Sequence, residues 1–224
     1  MAFHILLNLA EDVTVERKMV KKSLIDSLLR MLEHTNADLL ILIVTFLRKL
    51  AVFQENKNVM KELDVVGKII KFVPSSSQAL VVATLRLLFN LSFDPELRER
   101  MLNAGMVTKL VGLLKAVSLR GRTVKLLYQL SVEDRCKTMF GFSEGIQILV
   151  DLIINFPKNN LTPELGALAI NMTLSDRNCE KMVENRGLNH IIDRLATTRD
   201  PLLFKVTLTL TLTLMLMLTP TLTL

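Results

Sequence analysis

The sequence predicts an all-α protein built from repeated groups of helices, and three observations carry that prediction. The 224 residues include only 8 Gly, 6 Pro and 5% aromatic residues, although half of them are apolar. This composition matches helix propensities well and strand propensities poorly. A sequence period near 41 residues and a helical spacing of apolar residues within each period are the other two observations. Together they exclude a β-sandwich, a β-barrel, a disulfide scaffold and a globally disordered chain.

Five short apolar strings establish the period. They read LLNLA, LRKLA, LFNLS, LYQLS and INMT, and each has a polar residue near its middle that marks the same position in the period. These polar residues are Asn8, Lys49, Asn90, Gln129 and Asn171, which lie 41, 41, 39 and 42 residues apart. A methionine series follows at spacings of 41, 41, 38 and 43, and we expect it to pack between repeats: Met19, Met60, Met101, Met139 and Met182.

Each period predicts three helices. In the clearest period we expect them at about 95–103, 107–116 and 122–132. Prolines that suit the first position of a helix are Pro95, Pro163 and Pro201. Glycines that suit the break between the first and second helices are Gly105, Gly145 and Gly187.

Three-helix units of about 40 residues are typical of the armadillo fold. We therefore expect an all-α, right-handed superhelical armadillo solenoid, as a fragment truncated at both ends. The expected segments are 1–11 (end of a third helix), full repeats at 12–52, 53–93, 94–132 and 133–174, an incomplete repeat at 175–205, and a tail at 206–224.

The tail, residues 206–224, is an uncharged tract of alternating Leu and Thr. Three interpretations compete: a weak membrane span, a β-strand favoured by the period of two, and read-through of a repetitive intron. We favour read-through, and we expect the tail to lie outside the fold and to promote aggregation. The fifth repeat would then lack its third helix.

Several stretches resemble the kinesin-associated protein family: HILLNLAED at 4–12, DLLILIVTFLRKL at 38–50, ENKN at 55–58, TLRLLFNLSFD at 84–94 and RDPLLFK at 199–205. The resemblance covers residues 2–205 and finds no counterpart for the tail. It implies a cytoplasmic, non-catalytic adaptor, associated with microtubules and cilia. Its partners would be the tails of a kinesin motor heterodimer and cargo proteins. The alternative is a generic armadillo interaction scaffold with other cytoplasmic partners.

The third helices of armadillo solenoids line the usual binding surface, and on them the polar residues of the five strings form a ladder. The candidate partner-binding residues are this ladder and three basic residues near it: Asn8, Lys49, Asn90, Gln129 and Asn171, with Arg48, Arg86 and Lys125. One helical turn before the ladder, import receptors of this fold carry Trp, which this chain lacks. Arg86 and Lys125 occupy two of those positions, so we expect an acidic ligand, with Arg86 paired to a carboxylate.

Two structural interpretations stand beside that hypothesis. Asn90 and Asn171 could hydrogen-bond to the backbone of the neighbouring repeat instead of to a ligand, and the basic side chains could form an ordinary solvated face. Both alternatives stay open at the level of sequence.

The chain shows no motif for catalysis, so we expect neither enzymatic activity nor a cofactor or metal. No Gly-rich phosphate loop or nucleophile elbow occurs. Cys136 and Cys179 occupy equivalent positions in consecutive repeats, and we expect two buried, unbridged thiols. The net charge of +6 arises from 28 basic and 22 acidic residues, which are mixed along the chain. Tyr128 is the single tyrosine and no tryptophan is present, so we expect no nucleic-acid partner.

Overall fold

The computed structural model describes residues 24–218, which are called the described residues below. They form fourteen α-helices and contain no β-strand. The chain divides into two compact units, residues 1–109 and residues 110–224. The all-α prediction is therefore confirmed.

The first unit contains six helices and the start of a seventh. They are α1 Leu24–Arg30, α2 Ala37–Leu50, α3 Gln54–Glu62, α4 Val65–Ile69, α5 Gln78–Leu91, α6 Pro95–Asn103 and α7 Met106–Leu113, which crosses the division. The two fourteen-residue helices, α2 and α5, pack against each other. Leu47 and Leu50 of α2, with Leu88 and Leu91 of α5, are fully buried, so the core of this unit lies along these two helices.

The second unit repeats this arrangement. Its helices are α8 Val117–Leu130, α9 Asp134–Gly141, α10 Gly145–Ile154, α11 Pro163–Met172, α12 Asp176–Val183, α13 Gly187–Thr198 and α14 Pro201–Leu218. Here α11 packs against both α8 and α14. Leu127, Leu130, Leu168 and Met172 are fully buried, as the corresponding residues of the first unit are.

Short polar side chains cap the first turns of the two long helices of the first unit. The Leu39 N–H donates to Asn36 Oδ1 at 3.0 Å, and the Leu80 N–H donates to Ser77 Oγ at 3.3 Å. Each bond satisfies one of the N–H groups that a helix leaves unpaired in its first turn. Prolines occupy the first turn of α6 and α11, where no intrahelical N–H is needed.

One predicted helix start is wrong by five residues. The sequence places the third helix of the clearest period from Arg122, but α8 begins at Val117. Gly121 disfavours helix locally. Burial of Leu119, which is only 6% exposed, stabilises the additional turn. Tertiary packing therefore outweighs local propensity here.

One core position differs from the predicted methionine series. Met60, Met101 and Met182 are fully buried as expected, whereas Phe140 replaces Met139 in the core. Met19 lies outside the described residues. The Phe140 ring lies so close to Gly145 that a Cβ there would stand 2.8 Å from it, which explains the glycine at the start of α10.

The Leu-Thr tract does not lie outside the fold as we expected. The helix α14 continues through the tract as far as Leu218, so the last repeat does have a third helix. Leu203, Val206 and Leu210 of α14 are fully buried, and α14 packs against α11, α12 and α13. Residues 219–224 lie outside the described residues.

The tract can form this helix for two physical reasons. Leucine at every second position places apolar side chains on every side of a helix, including the side that faces its neighbours. The threonine hydroxyls donate to carbonyls one turn earlier, as Thr207 does to Leu203 at 2.8 Å and Thr211 does to Thr207 at 3.0 Å. Packing against α11 therefore overrides the strand propensity of the alternating pattern.

Asp94 forms a polar junction between consecutive repeats of the first unit. Its carboxylate accepts from the Leu97 N–H at the start of α6, and from Gln54 Nε2 and Lys61 Nζ of α3 at 2.8 and 3.1 Å. The Asp94 side chain is only 5% exposed. Burial alone would raise the pKa of Asp94, but these three donors outweigh it and lower the pKa below 3.8.

We predict that the Leu210→Ala substitution lowers the free energy of unfolding by about 2–4 kcal/mol, because it empties a fully buried position. The matched control is Leu212→Ala, at a side chain that is 50% exposed, where the change should stay within about 0.5 kcal/mol. Urea denaturation of both variants measures the difference. Equal effects of the two substitutions would show that α14 is not packed.

We predict that Asp94→Asn destabilises the protein at pH 7 and that this deficit disappears in acid. Asparagine caps a helix as well as aspartate does, so the lost free energy comes from the charge. Because the folded state lowers the Asp94 pKa, its contribution is complete above about pH 5 and is lost as the pH falls through 3.8 and below. Urea denaturation between pH 7 and pH 3 measures the difference in free energy of unfolding between the variant and the unsubstituted protein. A difference that stays constant over this range would contradict a stabilising role for the Asp94 charge.

Candidate partner-binding surface

The candidate partner-binding residues lie on the third helices. Asn8 lies outside the described residues. The other members lie on α2 (Arg48, Lys49), α5 (Arg86, Asn90), α8 (Lys125, Gln129) and α11 (Asn171). The sequence period thus places these seven residues on the helices that pack together within each unit.

Two ladder asparagines bond to the preceding third helix. In the first unit, Asn90 Nδ2 donates to the Arg48 carbonyl at 3.0 Å. In the second unit, Asn171 Nδ2 donates to Ser131 Oγ at 2.7 Å, and that hydroxyl donates to the Tyr128 carbonyl. The structural interpretation, a bond to the backbone of the neighbouring repeat, is therefore correct for Asn90, whereas Asn171 bonds to a side-chain hydroxyl of that repeat. Each amide keeps a second N–H and a carbonyl oxygen, so ligand contact stays a prediction alongside it.

The remaining ladder residues and Arg48 differ in their surroundings. Gln129 is half-buried and has no hydrogen-bond partner within the described part of the chain. Arg48 and Lys49 are half-buried in the last turn of α2, where positive charge complements the helix dipole. The ladder therefore presents a polar but uneven surface.

The two basic residues one turn before the ladder also differ. Arg86 is exposed, and no acidic residue within 24–218 pairs with it. Lys125 Nζ instead lies 3.1 Å from Glu164 Oε1 of α11, and its side chain is 52% exposed. Burial would raise the pKa of Glu164, but its own backbone N–H and Lys125 lower it overall. Arg86 is thus the better candidate for an incoming carboxylate.

Sequence reasoning missed a structural use of positive charge. Several basic side chains donate to carbonyls at the helix ends of the preceding repeat. In the first unit, Arg100 donates to Lys61 O, and Lys109 Nζ donates to Val73 O at 2.7 Å. The second unit has the same arrangement, because Lys181 and Arg194 donate to Gly141 O and Ile154 O at 2.6 and 2.9 Å. Part of the net charge of +6 therefore stabilises the array.

Sequence reasoning also missed a pocket in the second unit, which we call the α8–α11 pocket. Its volume is about 650 Å³, and it lies between the start of α8, the end of α10 and the start of α11. The apolar lining is Leu114, Val117, Val124, Ile148, Leu152, Phe156, Pro157 and Leu165. The charged lining is Lys115, Arg120, Lys125, Asp151 and Glu164. Among the candidate partner-binding residues, this pocket includes only Lys125.

The two cysteines are buried and unbridged, as expected. Burial raises the pKa of Cys136 to about 12 and that of Cys179 to about 11, so both thiols stay protonated at neutral pH. Within residues 24–218, no group of three His, Cys, Asp or Glu side chains is placed to bind a metal ion. None of the helices in the same residues has both the length and the apolar character that a membrane span needs.

Comparison with known families identifies one match. The model of the family described as kinesin-associated protein (KAP) matches residues 1–212. The match confirms the resemblance seen in the sequence. It also extends into the Leu-Thr tract, which the sequence comparison had left without a counterpart.

Solved structures with a similar fold are armadillo proteins. A computationally designed armadillo repeat protein for modular peptide recognition has a TM-score of 0.77 at 14% identity, covering 95% of this chain and 91% of that one. A structure from a study of the cadherin–β-catenin interaction has a TM-score of 0.73 at 18% identity, covering 86% and 37%. The armadillo repeats only protein from Plasmodium falciparum has a TM-score of 0.69 at 16% identity, covering 88% and 95%. These similarities confirm the armadillo fold.

We predict that Asn90→Ala lowers the free energy of unfolding by about 1 kcal/mol, because it removes the bond to the Arg48 carbonyl. The control is Gln129→Ala at the equivalent ladder position, which should change stability by less than about 0.5 kcal/mol. Chemical denaturation of both variants measures this. If Gln129→Ala cost as much as Asn90→Ala, the bond to the preceding helix would not explain the asparagine.

Proposed function

We propose that this chain, which belongs to the kinesin-associated protein family, is a non-enzymatic adaptor that binds the tails of a kinesin motor heterodimer and links them to cargo proteins. The observation that carries the proposal is the family match over residues 1–212. The family implies work in the cytoplasm, on microtubules and in cilia. We propose the same setting for this chain.

The fold supports binding rather than catalysis as the activity. Stacked helices present long surfaces whose side chains are held by the packing beneath them. A similar fold has been designed for modular peptide recognition, and another similar structure comes from a study of β-catenin and cadherin. An extended segment of a motor or cargo protein is a suitable ligand for such a surface.

Charge supports an acidic partner segment on the first unit. Arg86 is exposed and unpaired within the described residues, and its planar guanidinium can hold a carboxylate through two bonds. The basic last turn of α2 contributes Arg48 and Lys49. The first unit therefore offers a partner carboxylate the unpaired guanidinium of Arg86, together with the positive charge at the end of α2.

A generic armadillo scaffold with other cytoplasmic partners is the second candidate. The same fold and the same exposed Arg86 would serve it, so the fold alone favours neither. Motor binding separates the two candidates, because only the first requires capture of kinesin tails. Binding that fell steeply with salt for any polyanion would instead indicate non-specific attraction.

We predict that the full chain captures purified kinesin motor-chain tails in a pull-down and that Arg86→Glu weakens this capture at least about tenfold. The reversed charge would repel an acidic segment. The control is Lys68→Glu on α4, which makes the same charge change away from the third helices and should leave capture unchanged. Capture titrated against tail concentration measures both effects.

Two outcomes would contradict this account. Failure of the unsubstituted chain to capture any motor tail would remove the motor-adaptor proposal and leave the generic scaffold. Equal loss with Arg86→Glu and Lys68→Glu would show that net charge, rather than the third-helix surface, governs binding.

A further inference from the structure

We propose that the α8–α11 pocket is a peptide-docking site that accepts a bulky apolar side chain next to a carboxylate. This inference rests on the proposed function, because its occupant is a segment of a partner protein. It adds a second binding position, distinct from Arg86 and the ladder asparagines. The position comes from irregular features of one repeat and not from the period.

The pocket exists because one third helix is short. α2, α5 and α8 each have fourteen residues, whereas α11 has ten and begins at Pro163. The missing first turn of α11 would have covered the first turn of α8. Val117, at the start of α8, is consequently 76% exposed although it is apolar.

The wall opposite α8 is fixed in place. The loop between α10 and α11 is held by Arg194, which donates to Ile154 O at 2.9 Å and to Lys158 O at 2.7 Å. At its other end, the Leu161 N–H donates to the buried Asp200 carboxylate at 2.6 Å. Phe156 and Pro157 of this loop line the pocket. The pocket is therefore preformed, which reduces the entropy lost on binding.

Gly121 keeps the side of the pocket formed by α8 open. A glycine inside a helix costs about 1 kcal/mol relative to alanine. No packing requirement explains this cost, because a Cβ at Gly121 would meet no atom within 4 Å. Gly121 lines the pocket, so any side chain there would project into the space. The glycine thus leaves this side of the pocket open.

The lining suits a large apolar side chain. Leucine, isoleucine, valine and phenylalanine supply seven of the sixteen lining residues, and a volume of about 650 Å³ exceeds that of any single side chain. Burying an apolar side chain of Leu or Phe size contributes about 1.5–3 kcal/mol. An aromatic or leucine anchor, with part of its neighbouring residue, fits this space.

Arg120 supplies the group for the carboxylate. Its Nε donates to the Leu114 carbonyl at 2.9 Å, which fixes the guanidinium at the pocket. The terminal Nη groups have no partner among the described residues, so they can receive a carboxylate through two bonds. Lys125 pairs with Glu164 within the lining, and Lys115 pairs with Glu144 beside it. Arg120 is therefore the lining cation that is available to an acidic peptide.

The test uses the full chain and two fluorescein-labelled peptides in a Gly-Ser frame. One contains Asp-Asp-Phe-Leu, and the other contains Asn-Asn-Phe-Leu. Fluorescence anisotropy should give a Kd on the order of 10–100 µM for the acidic peptide, and about tenfold weaker binding for the amide peptide. Undetectable binding of the acidic peptide at peptide and protein concentrations of about 1 mM would overturn the proposal.

Matched substitutions place the binding in the pocket. Gly121→Leu should weaken the acidic peptide at least about tenfold by filling the space. Gly112→Leu should change it less than about twofold, because Gly112 is also helical and open but lies outside the pocket. Equal effects of the two substitutions would place the binding elsewhere and overturn the proposal.

The carboxylate contact has its own pair of substitutions. Arg120→Gln should remove the preference for Asp-Asp over Asn-Asn, whereas Arg122→Gln should preserve it, because Arg122 does not line the pocket. A preference that survives Arg120→Gln would contradict the assigned role. Motor-tail capture by the same protein preparation keeps the two proposals apart. Capture without peptide binding would refute only the pocket, whereas peptide binding without capture would refute only the motor adaptor.

Discussion

The structure depends on the burial of each third helix against the third helix of a neighbouring repeat. One such helix cannot bury its apolar side chains alone, because each repeat is a thin layer of three helices. In the first unit α2 and α5 cover each other, and in the second α11 lies against both α8 and α14. This requirement also explains α14, since the face of α11 is covered by whatever apolar helix follows it. Within each unit, neighbouring repeats therefore stabilise each other.

Polar side chains then fix how consecutive repeats align. Asn90 and Asn171 bond to the preceding third helix, while Arg100 and Lys181 bond to helix ends one repeat earlier. These bonds serve groups that the helices cannot satisfy themselves. Some of the basic residues in this chain therefore stabilise the fold, and others are available to bind a partner. What remains for a partner is the smaller set of cations without such bonds, with Arg86 the clearest in the first unit.

Sequence reasoning predicted the features that follow from local spacing. The 41-residue period identified the helices and placed the ladder on them, because equivalent positions of each repeat pack in the same way and carry similar residue types. It failed where a neighbour decides the outcome. The start of α8 depends on burial of Leu119, and the helix through the Leu-Thr tract depends on α11. The α8–α11 pocket could not be predicted either, since it arises from a missing helical turn and a glycine rather than from a repeated motif.

Hydrogen exchange of the backbone amides in α11 and α14 tests the central claim most directly. If neighbouring third helices stabilise each other, the amides of residues 206–213 should exchange slowly, at rates close to those of the α11 amides. Both sets should also accelerate together when the α11–α14 contact is weakened by mild denaturant. Exchange of residues 206–213 at the rate of an unfolded chain, with α11 still protected, would contradict the account. It would show that α11 is stable without the helix that covers it.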